Sequence, residues 1–441
     1  MSEDTQEIEA EVNVDKPEDE SGNDFSISDV INNFLHRVMD VEDCAREFIS
    51  TARKNFNSNA DRLKEELTEC QTLIEGETDQ EKKLAVVREI RRCIREIDRH
   101  NNSAPADILE KSLFISLFSS FDKYIGDLIA VLYKRNPELY KNLAREIPLN
   151  EVLQYNSIEE LRAVVLDKEI ETIRRKSYSF QFSDLEKRFS ITLKKFDRWT
   201  DFIEASQRRN LFTHCDGVVS KQYIEACNSV NYKFKETPEV GSQLEIGSSY
   251  FYETCDMLTE VAVMLGQTLW RKLEPEDLDS ADTNLSRLIF DFLHMEEWKK
   301  SISLSIFALD LPKISDDQME RIFTVNYAIA LKAIDKSSAA KKVLDRKDWS
   351  ACSFDFRLAH SVICDEYEKA GELMNRLGKE GELITEMAYH DWPLFRDFRD
   401  RPEFFENYEK VYGYKYSSKL KLLAEEKKSE TKMVEEDEEL A

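Results

Sequence analysis

The sequence predicts an all-α protein: a helical bundle with an N-terminal helical hairpin, plus a C-terminal array of paired helices. Three observations predict it. Turn formers are scarce, with 11 Gly and 9 Pro in 441 residues. Average usage of about 7% and about 5% would supply more than twice as many, so a sandwich or barrel is disfavoured. Apolar residues recur at three- and four-residue spacing through most of the chain, which is the period of an amphipathic helix. The chain is 34% charged and 41% hydrophobic, with no apolar run near the ~18 residues that would span a bilayer.

The elements follow in order. Residues 1–24 hold ten acidic residues and one Lys. Too charged to bury a core, residues 1–25 predict a disordered acidic tail. They lack the apolar segment of a signal peptide, which points to the cytoplasm. Ser26 or Ser28 then caps a helix with Ile31, Phe34, Leu35, Val38 and Val41 on one face. Residues 60–100 carry sparse apolar positions among dense alternating charge. They predict a long, mostly exposed helical hairpin broken near Gly76, suited to a partner or to its own copy. The whole of 26–104 thus forms a helical, coiled-coil-like region.

Pro105 opens a helix that is apolar on most faces and belongs at the centre of a bundle. It stops before Asn136-Pro137. Short helices are expected at 138–146 and 157–175. The alternation of KSYSFQF predicts a short extended segment or loop at 176–182. Helices follow at 183–195, 200–216 and 220–230, with a break at Gly217. Residues 238–249 form a Gly-containing loop with room for a two-residue strand. Ser248 or Ser249 caps the last bundle helix, which ends at 273. The polar, charged stretch 274–284 predicts a linker. Beyond it, Ala328 precedes Ala339/Ala340, and Ala359 precedes Ala370, the two sets offset by about 31 residues. Small residues at this spacing let paired helices approach closely. Residues 416–441 form a charged tail.

Function is bounded by charge. The net charge is −26, whereas a generic nucleic-acid binder is basic because phosphate neutralisation supplies its affinity. Any RNA contact must come from a local patch. Residues 172–209 provide one, with ten Lys or Arg against five acids. Within it, Arg174, Arg175 and Lys176 interleave with Tyr178, Phe180 and Phe182, as single-stranded nucleic acids favour. The same rings also suit a core, and the basic run a solvated face. The eight cysteines form no CxxC pair, and no Cys/His set has zinc spacing, so they read as small buried hydrophobes. No metal site is expected.

The chemistry concentrates in Arg208-Arg209-Asn210-Leu211-Phe212-Thr213-His214, at the start of a helix by the sequence reading. His trades protons near neutral pH, and the planar fork of Arg matches phosphate oxygens. Asn210 and His214 are four residues apart and share a helix face, about 40° apart. Arg209 and His214 lie about 140° apart on one helix. Either Arg209 precedes the helix start, or two copies of the motif face each other. Asn210 either caps the helix or orients the imidazole.

Arg209-Asn210-Leu211-Phe212-Thr213-His214 resembles the Arg-x4–6-His signature of HEPN domains (higher eukaryotes and prokaryotes nucleotide-binding). The upstream SLFISLFSSFDKYIGDLIAVLYK, the turn CDGVVSKQYI and the helix at 241–270 are similar to other parts of that bundle, so the likeness covers 105–273. The segments around Trp298, Ala328 and Ala359 resemble degenerate tetratricopeptide (TPR-like) repeats over 285–415, without the family's Trp-Leu-Gly signature. The HEPN resemblance implies a homodimeric, metal-independent endoribonuclease without cofactor, of a type found in bacterial anti-phage defence and toxin–antitoxin growth control. It implies that Arg209 holds the scissile phosphate. His214 moves the proton during attack by the 2′-OH, and Asn210 positions His214. The products are a 2′,3′-cyclic phosphate and a 5′-OH. Arg174, Arg175, Lys176 and Arg208 are the further RNA contacts expected from the basic stretch, and a structured RNA such as tRNA fits an acidic body. The competing expectation is a non-catalytic dimeric adaptor whose repeats bind a protein partner.

Overall fold

The computed structural model describes residues 26–143 and 146–417. The expected acidic tail at 1–25 lies outside the described residues, as does the charged tail from 418 on. Among the described residues the fold is all-helical and contains no strand. No helix among the described residues is long and apolar enough to cross a membrane.

Helix α1 (Ile27–Cys44) starts at Ser26 rather than Ser28. Ser26 Oγ accepts from Asp29 N at 3.1 Å, and Asp29 Oδ2 accepts from Ser26 N at 2.9 Å. This reciprocal capping satisfies two orphan donors. A π-helical turn (Ala45–Ile49) carries the chain into α2 (Ser50–Gly76) with right-handed helical dihedrals on both sides. The result is one continuous rod, about 75 Å long at about 1.5 Å per residue. Asp79 caps α3 (Gln80–Asn101), accepting from Glu81 N and Lys82 N at 2.8 and 3.2 Å. Helices α2 and α3 pack on each other, with Leu63 and Cys93 as their buried residues. His100 stacks on Phe56 at 3.7 Å and donates to the Phe56 carbonyl at 2.8 Å.

Helix α4 (Pro105–Arg135) is the axis of the bundle, with Phe114, Leu117, Phe118 and Phe121 fully buried. Around it come α5 (Leu149–Val152), α6 (Ile158–Arg174), α7 (Tyr178–Phe189), α8 (Trp199–Cys215), α9 (Lys221–Ser229) and α10 (Ser248–Leu273). Tyr124 on α4 donates to the Ala262 carbonyl of α10 at 2.6 Å.

Two sequence expectations are corrected here. The 176–182 segment is not extended but opens α7, capped by Ser177. Tyr178, Phe182, Leu185 and Phe189 are buried at helical spacing, and that longer period outweighs the local alternation. The expected linker at 274–284 holds only a short turn, because 278–284 form the first half of α11 (Leu278–His294). Ala281 and Leu285 are fully buried in the same apolar core as α1, α4 and α10. Asp282 is polar in sequence but wholly buried, paired with Arg271 at 2.6 Å and accepting from Ser315 N at 2.6 Å.

The C-terminal half is a series of helix pairs: α11 with α12 (Trp298–Leu309), α13 (Asp317–Ala333) with α14 (Ser337–Leu344), and α15 (Phe354–Ile363) with α16 (Tyr367–Leu377). The pairs turn alike. Glu296, Asp335 and Asp365 each adopt positive φ two residues past the first helix. The next residue's N–H returns to the carbonyl five back, Glu297 to Phe292, Lys336 to Leu331 and Glu366 to Ser361, each at 2.9 Å. This is the same helix-ending motif three times. Ala328, Ala340, Ala359 and Ala370 are all buried. The short α17 (Glu386–Asp391) and α18 (Pro402–Tyr412) close the array. Lys300 on α12 pins the pairs to the bundle. Its buried ammonium reaches Asp256 on α10 at 3.0 Å and Glu42 on α1 at 3.4 Å.

Candidate functional site on helix α8

The motif lies in the second half of α8, not at its start. Trp199, Phe202, Ile203 and Ala205 bury the first half. The helix stops where Asp216 turns left-handed and Gly217 follows at φ +87°. A Cβ on Gly217 would lie 2.5 Å from Phe212 Cε1, so glycine is required there by space and by backbone. Lys111 on α4 holds Asp216 at 2.8 Å.

Arg209 turns inward. Its Nη2 donates to Asp122 Oδ2 and meets the Tyr178 hydroxyl, both at 3.3 Å. Tyr178 in turn donates to Asp122 Oδ1 at 2.6 Å. The guanidinium lies 5.6 Å from the Phe118 ring centre and 5.9 Å from that of Tyr178, in cation–π range. The side chain keeps 22% of its surface exposed. Both hydrogen bonds use Nη2, and Nη1 takes none among the described residues. Burial raises the Asp122 carboxyl above its usual range, against the lowering pull of Tyr178, Arg209 and Arg174. Burial, with Asp122 beside it, pushes the Tyr178 hydroxyl well up, so it stays a donor.

His214 is the penultimate residue of α8 and is exposed, with Thr213, Cys215 and Asp216 exposed beside it. Asn210, one turn earlier, is half-buried. Within one chain α8 therefore joins Asn210 to His214 along a face, while Arg209 points elsewhere.

Arg208, expected as an RNA contact, is mostly buried and pairs with the interior. Its Nε donates to Glu204 at 2.8 Å and its guanidinium lies 4.0 Å above Tyr250. Glu204 is 1% exposed and also accepts from the Tyr223 and Tyr250 hydroxyls, each at 2.6 Å. A buried carboxylate needs a counter-charge and filled lone pairs, and Arg208 supplies the charge. Arg174, Arg175 and Lys176 are exposed at the end of α6. Arg175 pairs with Glu171 at 3.2 Å, and Lys176 lies 4.0 Å above the ring of Phe180, itself 47% exposed. Tyr178 and Phe182 are core. The aromatic run is thus divided, with one ring outside and two inside.

The sequence reading missed Asp122 and Glu204, and it set Tyr178 beside the basic run rather than against Arg209. Each carboxylate stands beside large apolar residues at helical spacing, in FSSFDKYIG and FIEAS. That is the signal that could have found them. Among the described residues no group of three or more His, Cys, Asp or Glu could hold a metal ion. No family model, curated protein or solved structure matches the chain.

Proposed function

We infer that the chain is a metal-independent endoribonuclease in which Arg209 of one copy and His214 of another meet at one phosphate. The observation that carries this reading is the position of both residues inside one continuous helix. At about 100° per residue they diverge by about 140°, so Arg209 has no free approach from before a helix start. A two-fold pairing of α8 surfaces supplies the missing partner. Arg209 suits the role of phosphate ligand: Asp122 and Tyr178 fix its Nη2 edge, leaving Nη1 to meet an oxygen. His214 is exposed and Asn210 lies on its face.

In the reaction the ribose 2′-oxygen bonds to phosphorus as the bond to the 5′-oxygen breaks. His214 takes the 2′-OH proton, and water at the exposed site gives one to the leaving 5′-oxygen. The Arg209 cation offsets the charge gathering on the phosphoryl oxygens. Proton transfer of this kind contributes about 10²–10⁴-fold, and a charge-stabilising donor about 10²–10³-fold. RNA incubated in EDTA with wild type should be cut to 2′,3′-cyclic phosphate and 5′-OH ends. His214→Ala should slow this by about 10²–10⁴-fold. Equal cleavage by both proteins sinks the reading.

One observation favours the adaptor alternative. A cleft of about 530 Å³ runs across the first helices of the three pairs, lined by Phe290, Met319, Ile322 and Phe356. On its lining, Asn326 Oδ1 and Trp392 Nε1 are buried without hydrogen-bond partners. One acceptor and one donor on an apolar floor suit a peptide backbone. No RNA cleavage by either protein would favour this reading.

A further inference from the structure

Many arginines pair with a carboxylate, as expected in a chain of net charge −26, and others such as Arg287, Arg346 and Arg376 stand without one among the described residues. Helix α3 differs in gathering four such arginines on one face. Arg88, Arg91, Arg95 and Arg99 are all exposed. Their spacing of three, four and four residues places them within an arc of about 80° on one face. Among the described residues no carboxylate pairs with any of them. The helix does hold acids able to do so, but Glu89 and Glu96 turn to the neighbouring Arg92, which donates to them at 2.6 and 2.9 Å. Arg92 also reaches Glu66 on α2 at 3.1 Å, so it serves the hairpin. The other four make no hydrogen bond or ion pair among the described residues. An exposed helix normally alternates charge along a face; this one carries four fixed cations in a row.

We propose that this Arg ladder on α3 docks the phosphate backbone of a base-paired RNA stem. The ladder covers 11 residue steps of α3, about 16.5 Å at about 1.5 Å per residue. Along one strand of a B-form duplex phosphates recur about every 3.4 Å of axis, and the A-form of RNA is more compact, so the ladder is long enough for at least roughly five of them. Guanidinium forks hold phosphate oxygens in pairs and carry no sequence information, which makes this a positioning surface. It lies on the hairpin, apart from α8, and lets an acidic body hold a structured RNA while the rest of its surface repels loose strands. The inference deepens the ribonuclease reading by naming its substrate class, and it rests on that reading for what happens to the RNA after docking.

The test uses the full chain and a fluorescently labelled RNA hairpin, followed by anisotropy over a series of salt concentrations in EDTA. Changing all four residues to Gln should weaken binding at least about tenfold. It should also make the plot of log K against log salt shallower by about 3.6, since each of the four lost phosphate contacts removes about 0.9. Changing all four to Lys keeps the charge and should keep the slope, which controls for folding. His214→Ala should bind with the wild-type slope while cutting no RNA. An unchanged slope in the Gln variant overturns the ladder, even if RNA is cut. A Gln variant that loses slope while wild type never cuts leaves the ladder standing and sinks the ribonuclease reading. Binding of anionic lipid vesicles or an acidic peptide in place of RNA, lost in the Gln variant, also overturns the proposal.

Discussion

Arg208 and Arg209 are neighbours with opposite duties. Arg208 neutralises Glu204 beneath Tyr223 and Tyr250, while Arg209 leans on Asp122 and keeps part of its surface open. Arg208→Ala should therefore act on stability. It strands a buried carboxylate, a change that costs about 3–5 kcal/mol. Urea denaturation should show that loss, whereas His214→Ala, at an exposed position, should stay within about 0.5 kcal/mol of wild type. Equal midpoints for Arg208→Ala and wild type would contradict the buried tetrad. A second residue-scale prediction concerns pH. Burial holds the His360 imidazole below its usual range, against the raising pull of Glu366. The unfolded chain, with an ordinary pKa near ~6.5, binds the proton first. The stability tied to neutral His360 is complete above that pH and is lost as pH falls below it. Melting temperatures between pH 7.5 and 5 should drop more steeply for wild type than for His360→Gln. Parallel curves would refute this assignment.

At the scale of elements, the end of α8 sets where His214 stands. Gly217→Ala puts a Cβ against Phe212 and forces a left-handed backbone on a residue that resists it. A penalty of about 1–3 kcal/mol is expected, read by thermal melting, together with a fall in RNA cleavage. A variant as stable as wild type would contradict the assigned turn. Elements with one strong period were legible in the sequence: the α4 axis, the hairpin broken near Gly76, and α8 between Trp199 and Gly217. The paired helices were legible through Ala328, Ala340, Ala359 and Ala370, whose side chains are small because two helices meet there. The turns between them were not, since Glu296, Asp335 and Asp365 take a left-handed conformation that no glycine announces. The start of α7 was misread because KSYSFQF satisfies two periods over seven residues, and only burial through Phe189 decides between them. In the site, Asn210 and His214 followed from spacing. The Arg209–Asp122–Tyr178 contact joins residues 31 and 87 positions apart, and local pattern carries no trace of such a distance.

For the whole molecule, the absence of a linker matters most. The core that starts at Ile27 runs without interruption to Leu304 and Phe323, and Lys300 ties α12 to both α1 and α10. The helix pairs are thus fastened to the bundle, while the buried residues lining their cleft, Val325, Phe356 and Ala359, belong to a second core. The hairpin is the part least packed on the body, and it carries the Arg ladder. The proposed site requires two chains, each contributing Arg209 to one site and His214 to the other.

The most direct test mixes two inactive proteins. Arg209→Ala and His214→Ala should each fail to cut RNA in EDTA. Unfolded and refolded together at equal concentration, half of the dimers should be mixed, and each mixed dimer should hold one site with both residues intact. Recovery of about a quarter of wild-type cleavage is the predicted result. A mixture that stays silent, while wild type cuts and the mixed dimers are shown to form, would contradict a site shared between two chains.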